Sequence, residues 1–116
     1  MSIVVTRDVL LAATERPKMP AEIPGVGTVM VQGMIGTERD AFEKTIVGKD
    51  GKLRMASFRA ALIIACAINP DGTPMFTADD ARALRALPAV NLEPIVNVAM
   101  KLSGISEADA AELGKD

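Results

Sequence analysis

Ile23-Pro24-Gly25-Val26-Gly27-Thr28-Val29-Met30-Val31-Gln32-Gly33-Met34-Ile35-Gly36-Thr37-Glu38-Arg39-Asp40-Ala41-Phe42 holds a turn, a strand and a helix start in one unbroken run. Pro24 fixes one backbone dihedral and Gly25 supplies the freedom a tight reversal needs. After the turn, Val29 and Val31 alternate with Met30 and Gln32, the period of a half-buried strand. With Ala21-Glu22-Ile23 on the other side, the spacing predicts a short antiparallel hairpin. Thr37 then reads as a helix cap, with Asp40 in the capping-box position. Ala41, Phe42, Thr45 and Ile46 share a face of that helix, and Gly48 stops it.

Toward the N-terminus, Thr6 caps a short helix through Val9, Leu10 and Ala13, with Asp8 in its first turn. Residues 14–20 hold two prolines, which bias their predecessors out of the helical region, and read as an extended linker. Toward the C-terminus, residues 49–52 form an exposed turn. Residues 53–68 begin as a helix, with Met55, Phe58, Leu62 and Cys66 at helical spacing. The block 62–68 fits either a continued helix or a buried strand paired through Asn69-Pro70-Asp71-Gly72 with residues 73–76. Thr77, with Asp79 and Asp80, caps a helix whose stripe is Ala81, Leu84 and Leu87. Asn91 caps another, with Pro94 in its first turn and Ile95, Val98, Ala99 and Leu102 on its buried face, closed by Ser103-Gly104. Ser106 caps a last short helix.

Composition narrows the function. At 116 residues the chain is long enough for one domain with its own core. Apolar residues make up 49% but aromatics only 3%, so the core is aliphatic, with seven Met. A net charge of −2 lacks the basic excess of a nucleic-acid binder. The apolar stretch 60–68 is well short of the ~20 residues of a membrane span. Residues 1–5 lack the basic flank of a signal peptide, so the chain is expected in the cytoplasm.

The sequence holds no His, the commonest general base and metal ligand, and a single Cys, Cys66, inside an apolar run. Ser-His and Cys-His nucleophile pairs are therefore excluded, as are zinc sites built on His or on several Cys. The acidic clusters Glu38/Asp40, Asp79/Asp80 and Glu107/Asp109/Glu112 fall near helix starts, where backbone amides stabilise negative charge. Aligning Gly72 with the glycine of a calcium loop puts Ala67 and Ala78 at ligand positions that need carboxylates. Gly25-Val26-Gly27 has the wrong spacing for a dinucleotide fingerprint. No enzyme activity, cofactor or metal is expected.

Taken in order, Ile23-Pro24-Gly25-Val26-Gly27, Met34-Ile35-Gly36-Thr37-Glu38-Arg39-Asp40-Ala41-Phe42, Asn69-Pro70-Asp71-Gly72, Met75-Phe76-Thr77-Ala78-Asp79-Asp80 and Leu102-Ser103-Gly104 resemble the tail assembly chaperones of long-tailed bacteriophages and prophages. The likeness covers nearly the whole chain. Gln32 stands where an Arg is common, and Asn69-Pro70 replaces a more acidic turn. The resemblance implies an α+β, helix-rich single domain spanning residues 1–116, with a small N-terminal antiparallel hairpin and residues 1–20 as short helix and linker. It implies a cytoplasmic factor, absent from the mature virion, that binds the tape measure protein and keeps it soluble during tail tube polymerisation. The tail tube protein is a second partner, and self-association is compatible with coating a long helix. A small structural virion protein, such as a tail-completion or connector subunit, is the alternative. Met75, Phe76, Ile95, Val98 and Leu102 are the expected partner-binding residues.

Overall fold

The computed structural model describes residues 3–52 and 54–105. The expected hairpin is present: β1 (Lys18–Ile23) and β2 (Gly27–Gln32) pair antiparallel, with Ile23 opposite Gly27 and Lys18 opposite Gln32. Its turn requires glycine, because Gly25 and Gly27 have φ of 79° and 141°, where a Cβ is strained. β1 takes in residues 18–20, which in sequence read as linker. Pro20 is tolerated there because β1 is an edge strand of the β1-β2-β3 sheet. Along β1, Met19, Ala21 and Ile23 turn inward, opposite Val31, Val29 and Gly27.

The ambiguous block 62–68 divides. Helix α3 (Met55–Cys66) runs directly into a two-residue strand, β3 (Ala67–Ile68), which pairs with Met30 and Val31. The strand reverses through residues 69–72, where Asn69 N–H donates to the Thr73 carbonyl at 2.8 Å and Ile68 bridges Pro74. Asp71 accepts the Thr73 hydroxyl at 2.6 Å and its amide at 3.0 Å. Those bonds, the hydroxyl's first, hold its carboxyl below the ordinary value.

Three helix starts differ in detail from the sequence pattern. Helix α2 (Gly36–Ile46) is capped by Ile35, not Thr37. Ile35 has no side-chain acceptor, so the cap is one-sided: Glu38, three residues on, accepts the Ile35 amide at 3.2 Å. Asp40 is exposed. Thr77 is the cap expected, with Asp80 accepting its amide at 2.8 Å, but it opens a 3₁₀ turn (Ala78–Asp80) ahead of α4 (Ala81–Arg85). Leu84 is buried there, while Leu87 lies past the helix end and is exposed. Helix α5 (Ala89–Leu102) starts from Pro88, so Asn91 and Pro94 are interior. The amide missing at Pro94 leaves the Val90 carbonyl unpaired within the helix, on an exposed residue that water can serve. α5 closes as expected: Gly104, at φ 72°, and Ile105 return amides to Lys101 and Met100 at 3.4 and 2.8 Å.

α5 lies across the sheet, α3 packs on α5, and α2 and α4 flank α3. Ile46, Leu62, Ile63, Val31 and Cys66 are fully buried at the centre. Phe42 and Phe58 meet edge to face, with centroids 5.6 Å apart, and join α2 to α3. Met34, Met75 and Met100 fill the margins of this core. Helix α1 (Arg7–Ala12) is capped by Thr6, whose hydroxyl accepts the Val9 amide at 3.4 Å, yet residues 3–15 are all exposed. The helix expected from Ser106 lies outside the described residues.

This division between core and arm predicts two unlike mutational effects. Leu62→Ala should cost about 2–5 kcal/mol in urea unfolding. Leu10→Ala in α1 should stay within about 0.5 kcal/mol of the parent.

Candidate partner-binding groove

Helix α3 carries apolar side chains on both sides. Phe58, Leu62 and Cys66, one turn apart, enter the core. Ser57, Ala61, Ile64 and Ala65 follow helical spacing on the other side and are half-buried. An ordinary surface helix would place charges there. Ala41, Phe42 and Thr45 of α2 form one wall beside this stripe, and Ala78, Ala81 and Arg85 form the other. Gln32, Ile68 and Pro74 close the end near the sheet. The result is an apolar groove of about 390 Å³, floored largely by alanine.

The groove's shape depends on a polar junction at its end. Arg16 donates from Nε and Nη2 to the Gly33 carbonyl at 3.0 and 2.8 Å and pairs with Glu38, which lines the groove. Gly33 returns its amide to the Pro17 carbonyl at 3.0 Å. Arg39 donates to the Ser103 carbonyl at 3.0 Å, and the Ser103 hydroxyl accepts the Met34 amide at 3.3 Å. The Glu38-Arg39 pair of the opening stretch therefore ties α2 to the linker on one side and to the end of α5 on the other. Gly33 is required for the approach: a Cβ there would lie 2.6 Å from the Leu102 carbonyl oxygen.

Cys66 sits behind this junction, 3.8 Å from the Ser103 hydroxyl. Burial pushes its thiol ionisation up, outweighing the hydrogen bond to Ser103. Among the described residues, no three His, Cys, Asp or Glu side chains are grouped to hold a metal, and no helix is long and apolar enough to cross a membrane. Glu38 and Arg85 are the ionisable side chains of the groove. The arrangement suits an apolar surface rather than a reacting group.

None of the five residues expected from sequence lines the groove. Met75 and Phe76 are half-buried against the core, immediately after Pro74 at the groove's end. Ile95 is buried, and Val98 and Leu102 are half-buried on α5. The groove's own stripe, Ala61, Ile64 and Ala65, was signalled only by the unbroken apolar run 60–68, which carries no polar side for water.

These features define a small helix-rich module with an open apolar groove. Among solved structures, the tail assembly chaperone of bacteriophage HK97 is similar to this chain, with a TM-score of 0.59 over 85% of this chain and 95% of that one, at 17% identity. The chain thus has the tail assembly chaperone fold, as the order of its motifs implied. No family model and no curated protein matches its sequence.

Gly33→Ala should cost about 1–3 kcal/mol, because the clash is with backbone that cannot turn aside. The measurement is the urea midpoint. Cys66 should resist thiol reagents in the native protein and react at once when unfolded. Its raised native pKa favours the folded state fully below the unfolded value of about 8.5, and stability should decline as pH rises beyond it.

Proposed function

We propose that this chain is a phage tail assembly chaperone that binds the tape measure protein in the cytoplasm of the bacterial host. It keeps that protein soluble while the tail tube polymerises and does not join the mature virion. It works by binding, without turnover and without a cofactor, as one domain over residues 1–116. The observation that carries this reading is the doubly apolar helix α3, whose outer stripe opens into the groove of a fold shared with a phage chaperone.

An amphipathic helix laid along the groove would bury its apolar side against α3. Alanine at the contact allows close approach of the two helix axes. Met75 and Phe76 extend this surface beyond Pro74, while Ile95, Val98 and Leu102 set the core on which α3 rests. A tape measure protein is long and helical, so many weak contacts along it give a firm coat by avidity and still release one at a time. The tail tube protein, arriving at the same length of helix, is the second partner.

The test is co-expression with the long helical protein encoded just downstream. The parent chain should hold that protein in the soluble fraction and co-purify with it. Ala61→Glu, at a half-exposed site, should keep the fold and weaken binding roughly tenfold or more. An insoluble downstream protein, together with this chain in purified particles, would replace the chaperone with a structural subunit.

A further inference from the structure

The groove has two unlike ends. Helix α3 runs from Ser57 toward β3, so its C-terminal end meets the sheet. There Ile68 and Pro74, bridged to each other, close the groove. Ala78, Ala81 and Arg85 then lead away from Pro74, one turn at a time, along the 3₁₀ turn and α4. On the opposite wall, Thr45 lies further along α2 than Glu38, whose end of the helix follows the sheet. The rim away from the sheet is therefore polar, made of Thr45, Ser57 and Arg85.

The two ionisable groups of the groove are not equivalent. Glu38 is spent within the chain: Arg16 donates to both carboxylate oxygens, from Nη2 to Oε1 and from Nη1 to Oε2 at 3.5 Å, and the Ile35 amide donates to Oε1. Arg85 is exposed and, among the described residues, has no ion pair or hydrogen-bond partner. Asp80, on the turn before α4, is held by the Thr77 amide, and Glu93, on α5, by Arg59. The charge that the groove leaves open is thus a single guanidinium. On the reading that the groove is the partner-binding surface, we propose that its occupant is an amphipathic helix with an acidic residue at one end of its apolar stripe. Arg85 pairs with that carboxylate and selects for it.

Length and chemistry fit this occupant. The stripe from Ser57 to Ala65 covers about 12 Å at the rise of an α-helix, roughly two turns. Two turns of a partner helix present apolar anchors at i, i+4 and i+7. A residue one turn beyond the anchors falls at the polar rim, where a carboxylate can accept two parallel N–H bonds from a guanidinium. Lysine at the same place would meet a like charge. At the other end, Ile68 and Pro74 are apolar, Gln32 is neutral and Glu38 repels an acid.

Synthetic helical peptides and the full-length chain test this separately from co-expression. Three peptides share Leu at i, i+4 and i+7 and differ in one residue a turn beyond, which is Glu, Gln or Lys. Binding is read by fluorescence anisotropy. The Glu peptide should bind about threefold tighter than the Gln peptide and about tenfold tighter than the Lys peptide, and the differences should shrink at high salt. Arg85→Glu, at an exposed site, should invert the order of the Glu and Lys peptides. Arg82→Glu makes the same change of net charge on a residue outside the groove lining and should leave the order as it is. Ala61→Glu should weaken all three. Equal affinities for the three peptides, or an order that Arg85→Glu does not invert, would overturn the role of Arg85 and leave the groove a binding surface. Binding that survives Ala61→Glu, or no binding at all, would also overturn it, and the chaperone reading would then be decided by co-expression alone.

Discussion

The guanidinium of Arg16 is the constraint from which the rest of the arrangement follows. It bridges the Gly33 carbonyl and the Glu38 carboxylate, and so fixes where the linker stops, where β2 ends and where α2 begins. Glu38 also accepts the Ile35 amide, which serves in place of the side-chain cap that Ile35 lacks. One residue on, Arg39 reaches the carbonyl of Ser103 at the end of α5. Arg16 and Glu38 are partly buried, so their pair is worth more than an exposed ion pair. Gly33 lets the strand pass against the α5 terminus, and Arg16 keeps it there.

That junction explains why α3 is placed as it is. With α5 locked over the sheet and α2 anchored at its first turn, α3 is held between them and runs into β3 with no loop. Its inner side chains are consumed by the core. Its outer side chains face a gap, because α2 and α4 stand on either side of α3 and nothing among the described residues covers the alanine stripe between them. Apart from Ser57 and Arg59, α3 is apolar throughout, so its outer stripe is a packing surface that the described residues leave open.

The sequence made the hairpin, the turn at residues 69–72 and the closure of α5 legible, because each depends on Pro, Gly or Asp at fixed offsets. The helix starts were less so. Thr37 has the chemistry of a cap, but Glu38 lies three residues after Ile35 and is drawn to Arg16, so the helix begins earlier. Asn91 likewise has the chemistry of a cap, but Pro88, three residues before it, is the cap, so α5 begins almost a turn sooner. The split of residues 62–68 was not decidable from periodicity, since a segment apolar on every side satisfies helix and strand alike. For the same reason the groove was invisible: Ala61 and Ala65 look like core filler until α2 and α4 are seen to stand apart.

An open apolar groove carries a physical conflict. It must be apolar enough to hold a partner, yet an exposed apolar surface promotes aggregation of its own chain. Alanine relaxes the conflict, because it offers close approach with little exposed area per residue. Phe42 lends the wall its bulk while remaining almost wholly buried.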